Sequence, residues 1–207
     1  QTPPAPDVPA TGNLKLDRLV GAEVRFVTPE EYQNRQALMA DAAGAEGYVI
    51  PEGGSNALGS WGYIRAVDEM ATQWDEPPSA IICATGSGGT LAGLAIGLQR
   101  LKLDIPLHGV AVCDDAAFFK SVIARISDEA TARWPSLPRI CADKVTVVEG
   151  YKGRGYALST KAEMSDIERV ARTSGLILDP VYTGKAFRPL LHEPERFGLR
   201  PLFIHTG

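Results

Sequence analysis

The residues best suited to chemistry lie in three short runs. Ala84-Thr85-Gly86-Ser87-Gly88-Gly89-Thr90 sits between an apolar stretch at 80–84 and an amphipathic one that begins at Leu91. Glycines reach positive φ and let a backbone approach a ligand closely. Successive N–H groups leading into a helix start then attract an anion, with the helix dipole adding to the field. The hydroxyls of Thr85, Ser87 and Thr90 add donors. Gly86, Gly88 and Gly89 give G-x-G-G rather than G-x-G-x-x-G, and no lysine follows as it does in a nucleoside-triphosphate loop. The run suits a small phosphate at the carboxyl end of a buried strand. A tight strand-to-helix turn without a ligand is the plainer alternative.

The second run, Glu52-Gly53-Gly54-Ser55-Asn56-Ala57-Leu58-Gly59, is by itself a glycine-rich helix entry with Ser55 or Asn56 as the cap. It gains a ligand reading only beside the first run. The third is Leu176-Ile177-Leu178-Asp179-Pro180-Val181-Tyr182-Thr183-Gly184-Lys185-Ala186. Here an apolar strand ends in Asp-Pro, and the following loop carries Tyr182, Thr183 and Lys185 at the sheet edge where α/β folds bind ligands. A surface turn with a structural tyrosine accounts for the same residues.

These runs need elements to hold them. Asn13 caps a helix over 14–20, and a strand follows at 23–27. Pro29 with Glu30 and Glu31 opens a helix that runs to 43 and stops at Gly44. A short strand at 47–51 precedes a helix over 57–74, which closes before Pro77-Pro78. Residues 80–84 read as a strand apolar on both faces, as in a buried parallel sheet. Helices over 91–101, 116–134 and 161–174 alternate with strands at 107–113, 144–149, 176–179 and 202–205. Such alternation gives βαβ units and an open α/β sheet.

Composition narrows the function classes. The 207 residues carry a formal net charge of -4, which disfavours a nucleic-acid partner. No apolar run reaches the roughly 18 residues of a membrane span, and the proline-rich start is not a signal peptide. Cys83, Cys113 and Cys141 are scattered and odd in number, which suits buried thiols in a reducing, cytoplasmic setting. No metal-ligand spacing is present. His108 and His192 lie apart from every motif and are expected to be structural or surface residues.

Five ordered blocks carry a resemblance: I-P-E-G-G-S-N-A-L-G (50–59), A-T-G-S-G-G-T-L-A-G-L (84–94), G-Y-A-L-S-T (155–160), L-D-P-V-Y-T-G-K-A (178–186) and F-I-H-T-G (203–207). Together they resemble the D-cysteine desulfhydrase and 1-aminocyclopropane-1-carboxylate (ACC) deaminase family over about 12–207. The resemblance implies a fold-type II, tryptophan-synthase-β-like enzyme: an open, mostly parallel α/β sheet with flanking helices, incomplete at the N-terminus. Residues 1–50 would be the remainder of a smaller α/β domain and 51–207 the larger cofactor-binding domain. The implied cofactor is pyridoxal 5′-phosphate, its phosphate held by Thr85, Gly86, Ser87, Gly88, Gly89 and Thr90. Ser55, Asn56, His205 and Thr206 would line the pocket. Thr183 falls where the family places the partner of the ring nitrogen. A carboxylate there would keep that nitrogen protonated; a neutral hydroxyl points to the desulfhydrase side. Tyr182 matches the tyrosine beside the substrate, and Tyr151 or Tyr156 a second one.

The resemblance also implies a lysine that holds the cofactor as a Schiff base, in a G-N-K-x-R-K-L segment. None of Lys15, Lys102, Lys120, Lys144, Lys152, Lys161 and Lys185 stands in such a context. The expected activity is that of a lyase or deaminase on a small amino acid. D-cysteine going to pyruvate, sulfide and ammonia leads and ACC deamination is the alternative, with little turnover by this chain alone. A fragment of such an enzyme, half of a split enzyme, and a non-catalytic phosphate binder are the three forms it could take. A missing N-terminal segment, a complementary chain or a homodimer would cover apolar surface.

Overall fold

The computed structural model describes residues 10–207. Its contacts divide the chain between Ile50 and Pro51. In the first unit, α1 (Gly12–Leu19) is preceded by Thr11 as N-cap residue instead of Asn13. The single helix expected over 29–43 forms as two, α2 (Pro29–Gln33) and α3 (Arg35–Ala43), broken at Asn34 with φ -105° and ψ 26°. Asparagine competes with the helix through its own side chain, so it is a natural break point. A capping box starts α2: Thr28 Oγ1 accepts from Glu31 N at 3.2 Å, and Thr28 N donates to Glu31 Oε2 at 2.8 Å. Gly44, at φ 60°, ends α3. The strands predicted at 23–27 and 47–51 do not form. A strand exists by its ladder, and the described residues of this unit offer no second strand to pair with.

The second unit holds α4 (Trp61–Gln73), β1 (Ala80–Thr85), α5 (Gly89–Arg100), β2 (Leu107–Ala111), α6 (Ala116–Arg133), β3 (Thr146–Val148), α7 (Lys161–Ser174), α8 (Thr183–His192) and β4 (Pro201–Ile204). The four strands are parallel in the order β3-β2-β1-β4. Alternation along β1 divides the core. Ile81 and Cys83 face a cluster with Leu91, Leu94, Ile96, Ile64, Val67, Ile123 and Ile126 from α4, α5 and α6. Ala80 and Ile82 face Val110, Val148, Ala186 and Phe197. Both faces are therefore covered, as the unbroken apolar run of β1 requires. The chain leaves β1 for β2 on one side and returns to pair β4 on the other, so β1 and β4 flank a topological switch point, where open α/β sheets bind ligands beyond their carboxyl ends.

The apolar run at 176–179 pairs with no strand among the described residues and is not itself one. The segment after it, read from sequence as a loop, is the helix α8. Gly184 and Pro189 argue against a helix in the sequence, yet both have a place. A Cβ on Gly184 would lie 2.6 Å from Asp179 O and 2.6 Å from Ile167 Cδ1. Pro189 is buried within the helix, at the loss of one helical hydrogen bond. Among the described residues no helix is long and apolar enough to cross a membrane.

Glycine sets the approach of α4 to α5. Gly93 and Gly97, one turn apart, face Ser60 and Tyr63, and Val67 and Ile64, of the α4 segment. A Cβ on Gly97 would stand 2.8 Å from Val67 Cγ2 and 2.9 Å from Val67 Cβ. Gly97→Val is therefore expected to destabilise the fold by about 1–3 kcal/mol through overpacking, read as a lower urea midpoint at unchanged slope.

Candidate active site

The site forms where the first two glycine runs meet. Gly88, with φ 86°, is the N-cap residue of α5 and has no side chain to cap it, so Gly89 and Thr90 open the helix, two residues earlier than the sequence suggested. The first-turn N–H groups of a helix have no intrahelical acceptor. One of them is taken: Gly89 N donates to Ser55 Oγ at 3.1 Å, and Ser55 Oγ donates to Ser87 Oγ at 2.7 Å. Asn56 Oδ1 accepts from Gly59 N at 2.7 Å, so Asn56 caps the turn before α4 while the buried Ser55 reaches across to the other run.

Close approach explains the glycines. A Cβ on Gly53, itself at φ 64°, would lie 2.3 Å from Ser87 Oγ, and a Cβ on Gly89 would lie 2.6 Å from Ser55 Oγ. On the far side, a Cβ on Gly86 would meet Tyr182 Cε1 at 2.9 Å, so the Tyr182 ring closes over the start of the loop. Cys113, just after β2, donates its thiol to Gly86 O at 3.1 Å. Burial, then the neighbouring Asp114, push that thiol up to about 11, so it stays protonated. Arg125 of α6 brings a guanidinium nitrogen to 3.5 Å from Ser55 O.

The donor set suits a small dianion. Helix-start amides lie beside the half-buried hydroxyls of Ser87 and Thr90, with Arg125 adjacent. Thr85 stands apart: its buried hydroxyl lies beside Gly109 and bonds the Cys83 thiol of the same strand. His205 and Thr206 lie exposed just past β4, whose Ile204 pairs with Cys83 of β1, so they stand beside the loop's strand. His205 Nε2 bonds the carbonyl of Ile177 at 2.9 Å.

A second corner forms at the start of α8 around Asp179, a residue the sequence reading passed over. Its carboxylate accepts from the amides of Val181, Tyr182 and Thr183, each at 2.7 Å, and from the Thr183 hydroxyl. Thr183 Oγ1 accepts in turn from Asp179 N at 2.9 Å. Burial raises the Asp179 carboxyl, but these bonds outweigh it and leave it below the usual carboxylate range. The Asp-Pro dipeptide was the available signal, since Asp caps backbone amides a few residues on. Thr183 is fully buried with its hydroxyl engaged on both sides, so no atom of it faces an open pocket.

The two second-tyrosine candidates separate. The Tyr156 hydroxyl bonds the Tyr182 hydroxyl, with ring centroids 5.8 Å apart. Tyr151 instead gives its hydroxyl to Glu193 past the far end of α8, and burial with that carboxylate pushes it up to about 12. Burial, then the bond to Tyr156, raise Tyr182 well above the ordinary phenol value. His108 packs edge-on against Phe197 at 5.1 Å, and His192 meets Asp166 at 2.9 Å. A cleft of about 600 Å³ opens at the opposite, amino end of β2 and β3, lined by Leu98, Lys102, Ile105 and Lys144, and it contains no motif residue.

Comparisons with known proteins give the family. Residues 3–207 match the family model described as pyridoxal-phosphate dependent enzyme, and the chain belongs to that family. A bifunctional D-cysteine desulfhydrase/1-aminocyclopropane-1-carboxylate deaminase, mitochondrial, of Arabidopsis thaliana is 38% identical over 95% of this chain and 52% of its own length. A D-cysteine desulfhydrase of Yersinia pestis is 38% identical over 95% of the chain and 62% of its own. The crystal structure of an ACC deaminase homologue superposes with a TM-score of 0.80 at 36% identity, covering 95% of this chain and 62% of that one. The chain thus spans about half to two-thirds of the length of these relatives. The family, the fold-type II α/β architecture and the dependence on pyridoxal phosphate are those the resemblance implied.

Asp179→Asn is expected to cost about 1–2 kcal/mol, as for loss of a helix N-terminal cap. Because the folded carboxyl is depressed, its contribution is present above the unfolded value near ~3.9 and is lost as pH falls through the folded one. The difference in urea stability between wild type and variant should therefore shrink on acidification below about pH 4.

Proposed function

We propose that this chain forms the phosphate-gripping part of a lyase that splits a small amino acid, with D-cysteine as the leading substrate. The products would be pyruvate, hydrogen sulfide and ammonia, one water being consumed. The observation that carries the reading is the meeting of the two glycine runs at the start of α5, with Ser55 bonded to both Ser87 and Gly89. Amides of the first helical turn and the Ser87 and Thr90 hydroxyls would hold the 5′-phosphate, and His205 and Thr206 would stand beside the ring. Bound pyridoxal phosphate supplies an electron sink for negative charge developing at Cα.

The chain's own residues handle protons around that centre. With its value raised, Tyr182 is protonated at neutral pH, which suits a donor to a departing sulfur and not a base. Two phenols joined by one hydrogen bond keep one further proton to give, so the Tyr156–Tyr182 pair can donate without losing its own contact. The Schiff-base amine is a separate matter. Lys185, three residues after Tyr182, has its amino group engaged by Lys152 O at 2.8 Å and Gly155 O at 2.7 Å. We place that amine outside these 207 residues, in a longer chain or a partner, and infer a homodimer as the working form. The setting remains cytoplasmic in this proposal.

ACC is the second substrate candidate, and one contact favours it. Asp179 places a carboxylate directly behind Thr183, so the neutral hydroxyl is not the whole of that corner. The two readings part on product identity. The full protein is expected to release pyruvate and sulfide from D-cysteine; 2-oxobutyrate from ACC with no pyruvate from D-cysteine would reverse the order. For the phosphate grip, Gly88→Val should weaken pyridoxal phosphate binding by about tenfold or more, because it forces a branched side chain to φ 86° and a Cβ to 2.8 Å from Val122 Cγ1. Binding of pyridoxal, which has no phosphate, should change little between the two proteins.

A further inference from the structure

Lys185 is the lysine of the third motif, and nothing in the proposed reaction uses it. It is 1% exposed, third in α8, and its ammonium donates to two backbone carbonyls, Lys152 O at 2.8 Å and Gly155 O at 2.7 Å. Both of these acceptors are backbone carbonyls and neither is a carboxylate. Two features make this placement unfavourable for the helix alone. A cation in the first turn opposes the helix dipole, and burying an ammonium is costly unless its donors are satisfied. A neutral apolar residue would serve α8 better, so the reason for a lysine lies in what its nitrogen holds.

What it holds is a segment with little support of its own. Residues 150–157 pass through positive φ at Gly150, Gly153, Gly155 and Ala157, and belong to no helix or strand. The backbone bond near the tyrosine is Leu158 N to Gly155 O at 3.2 Å. The buried Glu163 packs against Gly153, where a Cβ would lie 2.3 Å from Glu163 Oε1. Lys185 grips both ends of the turn over 152–155, and Tyr156 follows immediately. Three residues before Lys185, at the start of the same helix, the Tyr182 hydroxyl shares a hydrogen bond with the Tyr156 hydroxyl. One helix end therefore grips this loop twice, once by backbone and once by phenol.

We propose that Lys185 is a positioning residue: its ammonium clamps the turn over 152–155 and so sets the Tyr156 phenol on Tyr182. Charge-assisted bonds to carbonyls are short and directional, which a water-exposed glycine turn is not. The effect on catalysis rests on the reading that the tyrosine pair faces substrate; the clamp itself does not. The same geometry bars Lys185 from replacing the Schiff-base amine, because its nitrogen is buried and two of its three hydrogens are in use.

The test uses the full protein without cofactor. Alkaline titration of phenolate absorbance, with Tyr182→Phe identifying the Tyr182 component, should place that residue above the ordinary tyrosine value near ~10. In Lys185→Met the Tyr182 component should fall by about one pH unit or more, a tenfold change in its acid constant. Amide exchange over 153–158 should rise about tenfold while the amides of α5 hold. Lys185→Arg, which keeps a charged donor, should restore most of both. An unchanged Tyr182 titration in a folded Lys185→Met protein overturns the proposal. If that variant does not fold, the wild type decides: the Lys185 ammonium resonance should be protected from water and coupled to the carbonyl carbons of Lys152 and Gly155. An ammonium that exchanges freely, or one trapped by borohydride with pyridoxal phosphate, overturns it. Failure of wild type to bind pyridoxal phosphate would instead remove the proposed function and leave the clamp standing.

Discussion

A single buried hydroxyl, that of Ser55, joins the two glycine-rich turns at the mouth of α5, and the rest of the site is arranged around that junction. A helix start presents N–H groups that nothing in the helix can satisfy. Ser55 satisfies the amide of Gly89 and bonds Ser87, which fixes the loop and leaves the other first-turn amides without an intrahelical acceptor. The arrangement works only if no side chain intervenes. Gly53 and Gly89 leave the room for it, and Gly88 supplies the left-handed step that turns strand into helix. An anion is the natural complement to such a surface, because amides and dipole act together where water is partly excluded.

The opposite wall is built by the start of a second helix with the reverse problem. At α8 the amides are already occupied, by the Asp179 carboxylate, so this helix end is closed to an anion. What it offers instead is position. Tyr182 leans over Gly86, Tyr156 is held against Tyr182, and Lys185 secures the loop that brings Tyr156 there. One helix end is left open for a ligand and the other is closed to hold side chains steady. Parallel strand order puts both on the same edge, because β1 feeds the first and β4 runs alongside β1 after the second.

Much of the central layer was legible because its signals are strong. Residues 80–84 are apolar without a break, the glycines follow at once, and α5, α6 and α7 formed within two residues of their expected bounds at each end. The failures share a cause. The runs at 23–27, 47–51 and 176–179 have the apolar content of strands, but a strand needs a partner, and partners are set by the tertiary fold. α8 was hidden by Gly184 and Pro189, whose reasons are contacts with Asp179, Ile167 and the core that no periodicity reveals. In the candidate site, the glycine-rich turns at 85–90 and 52–59 could be read from residue type. The choice between Tyr151 and Tyr156 could not, because it depends on the direction a chain takes through successive positive-φ turns. Asp179 has a readable signal in Asp-Pro, masked in the sequence by the strand-like apolar run before it.

The grip of the α5 start on a dianion is measured most directly by amide resonances of the full protein as pyridoxal 5′-phosphate is added. The account predicts that the N–H signals of Ser87, Gly88, Thr90 and Leu91 move together and saturably, that inorganic phosphate moves the same set more weakly, and that the Asp179-capped amides of Val181, Tyr182 and Thr183 respond less. Saturable binding that leaves the 87–91 amides unmoved, or that shifts instead the cleft around Lys102 and Lys144, would contradict it.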